Sequence, residues 1–347
     1  MLDETPPERI RYEFDQPPEP GHTIPVSEDL LWLRMPLPMA LAHINLWLHR
    51  DGDSWSIIDT GIGDETTREL WQEVLDATLE GAPVDRIILT HMHPDHCGNA
   101  GWLCERLDAG LWMTREEYLY CRILTADTGR PAPAEGVTFY KRAGFSDDAL
   151  QRYQELFGMF GRYVAELPQT YTRMQNRDRL TIGEHEFRVI IGRGHSPEHA
   201  CLYDESRNIL ISGDQLLPTI SSNVSVYPTE PLANPLADWL TSLEDLKNEI
   251  PSDVLVLPAH GRPFYGAHER LDDLIEEHKD GLDKLLALCD EPRRVPELFS
   301  ALFRAPIRSG NLMMATGETL AHLNYLIYEG QIERQLGDDG ADRFLAV

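Results

Sequence analysis

Three imidazoles and a carboxylate crowd into His91-Met92-His93-Pro94-Asp95-His96. Directly upstream, Val84-Asp85-Arg86-Ile87-Ile88-Leu89-Thr90 is short, β-branched and apolar, the pattern of a buried strand. The cluster therefore stands where a strand gives way to a helix. Side chains alternate along an extended chain, so His91 and His93 point the same way, and Asp95 and His96 swing round as the helix starts. Crowding such groups at a strand end makes sense with a cation to hold them. Imidazole with carboxylate suits zinc and also iron.

The same arrangement recurs downstream. Glu186-Phe187-Arg188-Val189-Ile190-Ile191 runs into His195 among glycines, Asn208-Ile209-Leu210-Ile211-Ser212 into Gly213-Asp214, and Val254-Leu255-Val256-Leu257 into Pro258-Ala259-His260-Gly261. Strand ends on one edge of a sheet can converge, so His91, His93, Asp95, His96, His195, Asp214 and His260 form one candidate site. Between these landmarks, Ile44–Leu48 and Ser54–Ile58 read as a hairpin across Asp51-Gly52-Asp53. Asp59, which closes that hairpin, either orients a ligand histidine from behind or caps the turn at Gly61. His43 and His49 read as structural or exposed, Cys97 as a small buried helix residue, and His199 as structural. The Met35–Met39 segment either lines a pocket or packs on the core, as do Leu216, Leu217, Ile220 and Tyr227.

Apolar periodicity predicts helices over 65–79 and 100–107, the latter ended by Gly110. Thr114-Arg115-Glu116-Glu117 matches a capping box, and Ser146 caps a long helix with Leu150, Tyr153, Leu156, Phe157, Phe160 and Val164 on one face, stopped by Pro168. Residues 130–136 read as a loop. This divides the chain into a loosely structured leader (1–27), a catalytic domain (28–268) with a helical insertion (114–175), and a C-terminal domain (269–347). The tail offers helices over 269–288, 295–303 and 316–323, then a strand at Gly330–Arg334 and a turn or frayed end at Gly337–Gly340.

The ordered set HxHxDH, His after glycine, Asp in Gly-Asp and His before Gly, spread over residues 30–265, resembles the metallo-β-lactamase superfamily. The resemblance implies an α/β fold, an αββα sandwich with metals at one edge. By it, His91, His93 and His195 would bind a first ion, Asp95, His96 and His260 a second, and Asp214 would bridge them. The cofactors implied are two divalent ions, zinc foremost, with iron and manganese as alternatives. Gly194–His199 and the tail further resemble a glyoxalase II-like bacterial branch with a winged-helix-like end. The chemistry implied is hydrolysis of a small ester or thioester by a metal-bridging hydroxide, since a bound ion lowers the pKa of water from ~15.7 toward ~7. Asp95 would orient that hydroxide. Other reactions of similar proteins are mononuclear iron persulfide dioxygenation and lactone or phosphodiester hydrolysis. Leu217 stands where the lactonases carry tyrosine, and no RNA-cutting module is recognisable.

Composition narrows the partners. A net charge of -27 over 347 residues favours solubility and argues against a broad grip on nucleic acid or anionic membrane. No apolar run approaches ~18 residues, so no membrane span is expected. The acidic, proline-rich start lacks the basic and apolar regions of a secretion signal. Five cysteines without paired spacing point to a reducing, cytoplasmic setting. The expected partner is a small-molecule substrate. The tail reads as a pocket-closing element or a homodimer contact, because no basic stripe marks it for DNA.

Overall fold

Continuous apolar runs such as His43–Asp51 demand cover on both faces, and the chain supplies it by stacking two sheets under helices. The computed structural model describes residues 9–39 and 41–347. In chain order these form β1 (Arg11–Tyr12), β2 (Thr23–Pro25), β3 (Leu30–Pro36), β4 (His43–Asp51), β5 (Ser54–Ile58), α1 (Glu65–Glu73), β6 (Val84–Ile88), α2 (Pro94–Cys97), α3 (Ala100–Leu107) and β7 (Gly110–Met113). Then come α4 (Arg115–Ala126), α5 (Ala134–Arg142), α6 (Asp147–Leu156), β8 (Thr172–Arg173), β9 (Arg179–Ile182), β10 (His185–Gly192), β11 (His199–Asp204) and β12 (Ile209–Gly213). The remainder is α7 (Pro235–Glu249), β13 (Leu255–Pro258), β14 (Phe264–Tyr265), α8 (Ala267–Leu288), α9 (Val295–Leu302), α10 (Leu312–Tyr328), β15 (Ile332–Leu336) and β16 (Asp342–Ala346).

Among the described residues, one seven-stranded sheet runs β2-β3-β4-β5-β6-β7-β8 and a second runs β1-β14-β13-β12-β11-β10-β9. Trp32, Trp47, Ile58 and Ile88 from the first meet Phe187, Val189, Leu202 and Leu257 from the second in the core between them. Trp71, Leu103 and Cys121 cover the outside of the first sheet, and Trp239, Leu271, Leu298 and Leu323 that of the second. The layers are therefore α/β/β/α. Strand direction decides where the chemistry falls. β5 and β6 are parallel, as are β12 and β13. β10 runs with β12 because both oppose β11.

Several expectations change in detail. Within 9–27 the leader is not loose: β1 pairs with β14 and β2 with β3, so it edges both sheets. Residues 1–8 lie outside the described ones. Met35 continues β3, and it and Leu37 are buried in the core. Asp108, at φ 54°, ends α3, and Gly110 opens β7 instead. The long helix stops at Leu156, because Gly158 sits at φ +73° and a Cβ there would lie 2.5 Å from the Asp127 carbonyl oxygen. A helix, α5, occupies part of the expected loop. Gly337–Gly340 joins β15 to β16, and α10 runs longer than its apolar pattern suggested. No helix among the described residues is long and apolar enough to cross a membrane.

The helical tail shares its core with α7, and two buried imidazoles lie at that contact. His278 Nδ1 and His322 Nε2 are 3.1 Å apart. The Trp239 indole N–H donates to His278 Nε2 at 3.1 Å. Burial pushes His278 down to about 3 and His322 down to about 4. Both stay neutral where an unfolded histidine, near 6.5, would already take up a proton. Their contribution is thus complete above about 6.5 and is lost as pH falls toward 4. The double variant His278→Gln/His322→Gln is expected to lose less melting temperature than the parent between pH 7 and pH 4. Equal slopes in thermal melts across that range would refute this.

Candidate metal centre

Each ligand-type side chain is delivered by a strand end. β6 ends at Ile88, and Leu89-Thr90 lead straight to His91 and His93. His93 precedes α2 in extended conformation (ψ 146°), and Pro94 starts the helix, which turns Asp95 and His96 toward the same space. His195 follows β10, Asp214 follows β12 and His260 follows β13. Gly98 lets α2 lie against the β5 end, since a Cβ there would sit 2.3 Å from the Gly63 nitrogen.

All seven expected residues come together, in two groups. His91, His93, His195 and Asp214 form one, and Asp95, His96 and His260 the other, with the ligand atoms of each group within 4.8 Å of one another. Asp214 faces both. Its Oδ2 lies 3.3 Å from His195 Nε2 and 4.0 Å from His91 Nε2. Its Oδ1 lies 3.5 Å from His96 Nε2 and 3.4 Å from His260 Nε2. His260 Nε2 is also 3.4 Å from Asp95 Oδ2, and His91 Nε2 is 2.8 Å from His93 Nδ1. His96 Nε2, His195 Nε2, His260 Nε2 and Asp214 Oδ1 are buried without a hydrogen-bond partner. Orphaned buried polar atoms are costly, yet these converge. Two ligands each ~2.1 Å from a tetrahedral zinc stand about 3.4 Å apart, so the spacing and donor set fit divalent cations.

The opposite ring nitrogens are held from behind. The His96 Nδ1–H donates to Asp59 Oδ2 at 2.8 Å. The Thr90 hydroxyl donates to the same oxygen at 2.8 Å and lies 3.1 Å from His91 Nδ1. Asp59 thus takes the orienting role. The His195 Nδ1–H donates to the Asn223 carbonyl at 2.8 Å, and that of His260 to the His43 carbonyl at 2.9 Å. These bonds select the tautomer that leaves Nε2 for the site. His199 accepts the Asp214 backbone N–H on Nε2 at 3.0 Å, so it positions Asp214. His43 is half-buried and accepts the Gly261 N–H, while His49 is fully buried rather than exposed.

Glu117 escaped the sequence reading, which gave it to a helix cap. Its carboxylate is fully buried and accepts from the Met92 N–H (2.9 Å), the Ser196 hydroxyl (2.6 Å) and the Glu198 N–H (2.8 Å). It ties the loop bearing His91 and His93 to the loop bearing His195. Asn45 does similar work for His260, donating to the Pro258 and Gly261 carbonyls at 2.8 Å each. Leu216 and Leu217, candidates for the pocket wall, are core.

Charge is distributed unevenly. Burial and the neighbouring imidazoles drive His91 well down and His93 down to about 3, so both are neutral donors. Burial opposes ionisation of Asp95, but His96 and His260 hold it down to about 2. Burial likewise opposes charge on His96, yet Asp214, Asp59 and Asp95 raise it. The carboxylates thus call for positive charge at this spot, which a divalent ion supplies with release of protons.

A double-sheet sandwich with a histidine–aspartate cluster at its strand ends defines a metallo-hydrolase scaffold. The chain belongs to the metallo-beta-lactamase superfamily: residues 41–262 match that family, and residues 282–347 match the metallo-beta-lactamase-like C-terminal domain. It is 23% identical over 316 residues to the probable metallo-hydrolase YqjP of Bacillus subtilis, covering 88% of this chain and 94% of that one. It is 26% identical over 195 residues to the human acyl-coenzyme A thioesterase MBLAC2, covering 54% of this chain and 64% of that protein. A beta-lactamase domain protein from Burkholderia ambifaria superposes with a TM-score of 0.88 at 39% identity over 97% of both chains. A metallo-beta-lactamase family protein of Thermus thermophilus does so with 0.78 at 28% identity, over 93% of this chain and 100% of that one.

Two outcomes are expected. Asp59→Ala frees the His96 ring and should weaken metal retention about 10- to 100-fold in chelator competition; wild-type retention would refute the orienting role. Glu117→Leu strands three donors at roughly 1–3 kcal/mol each, so its chemical denaturation midpoint should drop sharply, and an unchanged midpoint would contradict this.

Proposed function

We propose that the chain is a hydrolase holding two divalent ions, zinc foremost, that cleaves small thioesters or esters. The observation that carries the reading is Asp214, with one oxygen toward His91 and His195 and the other toward His96 and His260. A single carboxylate between two imidazole sets suits a bridge. When bound, the ions supply a water acidified toward ~7 and polarisation of a carbonyl.

This chain's own groups supply the rest. His91, His93 and His195 hold the first position, and Asp95, His96 and His260 the second. Asp95, ionised and acceptor-only, would orient the attacking water as well as help hold the second ion. Cys97 is no rival nucleophile, because burial pushes its thiol up and its S–H donates to the Met92 carbonyl at 2.9 Å. The thioester preference draws on the relative MBLAC2, named an acyl-coenzyme A thioesterase. We read α8–α10 with the β15–β16 hairpin as winged-helix-like in order. DNA readout is disfavoured, since α10 carries no lysine or arginine. Five free, buried cysteines support a cytoplasmic setting.

Metal analysis of protein purified without added metal, paired with a panel of thioesters, esters, lactones and persulfides, tests the reading. Two equivalents of metal per chain and thioester or ester hydrolysis are expected, with Asp214→Ala losing on the order of a hundredfold or more. One iron per chain with oxygen uptake on a persulfide would replace the hydrolase reading with a dioxygenase. Full activity in Asp214→Ala would remove the bridge.

A further inference from the structure

A short segment links the C-terminal unit to the candidate centre. Residues 221–227 have no regular secondary structure, yet they anchor two of the seven site residues. The Ser222 hydroxyl donates to the Asp214 carbonyl at 2.6 Å, and the Asn223 carbonyl accepts the His195 Nδ1–H at 2.8 Å. A segment without its own ladder must be held from outside. Helix α10 holds it. The Asn223 side-chain amide donates to Glu318 Oε2 at 2.7 Å, and the Val226 N–H donates to the Gly317 carbonyl at 3.0 Å. The Ser225 hydroxyl bonds Asn223 Oδ1 at 2.5 Å. Contact is close enough that a Cβ at Gly317 would lie 2.7 Å from the Ser225 hydroxyl oxygen. The Glu318 backbone carbonyl in turn accepts the His322 Nδ1–H at 2.8 Å, which links it to His278.

We propose that Glu318 and Gly317 of α10 are positioning residues for His195, so that the C-terminal domain is an integral wall of the metal centre rather than an appended module. The chain of contacts runs from the Glu318 carboxylate to the Asn223 amide, and from the Asn223 carbonyl to the His195 ring. The proposal rests on the reading of His195 as a ligand of the first ion. It explains why a helix in the place of a DNA-reading element is apolar and buried.

The test uses the full chain with Glu318→Ala, Glu318→Gln and Gly317→Ala, and Arg334→Ala on the outer hairpin as control. In cobalt titrations with a competing chelator, Glu318→Ala and Gly317→Ala are expected to bind the first ion about 10- to 100-fold more weakly, with altered visible bands. Glu318→Gln, whose amide oxygen still accepts from Asn223, is expected to restore both, and Arg334→Ala to match the parent. Wild-type affinity and spectrum in Glu318→Ala, or no rescue by Gln, overturns the proposal. Histidine 15N NMR on the metal-free proteins adds a readout that needs no ion. His195 should be fixed as the Nδ1–H tautomer in the parent and Glu318→Gln but mixed in Glu318→Ala; one fixed tautomer in all three overturns the proposal. A parent that takes up no cobalt while its His195 tautomer responds to Glu318→Ala would instead sink the ligand reading alone.

Discussion

A buried carboxylate set between two groups of imidazoles is the constraint around which this protein is arranged. Asp214 is almost wholly shielded from solvent, where an ionised carboxylate is tolerated only with compensating charge. The surrounding rings supply part of it, and the geometry leaves room for cations to supply the rest. To bring those groups together, strands from both sheets must end at the same edge, with neighbours in matching directions. The parallel pairs β5·β6 and β12·β13 meet that requirement. β7 and β8 continue the parallel run beyond β6, and antiparallel pairings fill out the rest of both sheets.

The residues of the candidate site were legible in the sequence because their signal is local. An apolar run followed by His, Asp or Gly-Asp states both the strand and what stands at its end. The braces were not legible, since each joins residues far apart in the chain. Glu117 reaches Ser196, Asn45 reaches Pro258 and Asn223 reaches Glu318. Nothing about those residues in isolation separates them from surface carboxylates and amides. Glu117 in particular sat inside a convincing capping box. The structure uses its carboxylate elsewhere, and Thr114 donates its hydroxyl to the Glu198 carbonyl.

Errors in the element reading share a cause as well. The apolar face that suggested one helix from Asp147 to Val164 is real, for Tyr153 and Val164 are both buried. A glycine at positive φ lets the chain change conformation while keeping the same side chains inward. Periodicity reports which residues go inside, and it reports backbone conformation only where no such residue intervenes. β1 and β2 were missed for the opposite reason. They are too short to show a period at all, and they exist only because a neighbour offers an unpaired edge.

Those two short strands carry an implication for how the molecule assembles. Arg11 pairs with Tyr265, and Thr23 with Leu33. During synthesis β2 can find its neighbour almost at once, while β1 must wait until β14 has emerged from the ribosome. The stretch bearing β1 is then tethered to one sheet through β2 while it searches for the other. Closing so long a loop is slow, and until it closes the edge formed by β14 stays open to any passing strand. The β1 stretch, made well before the sheet it completes, is therefore among the last to find its place.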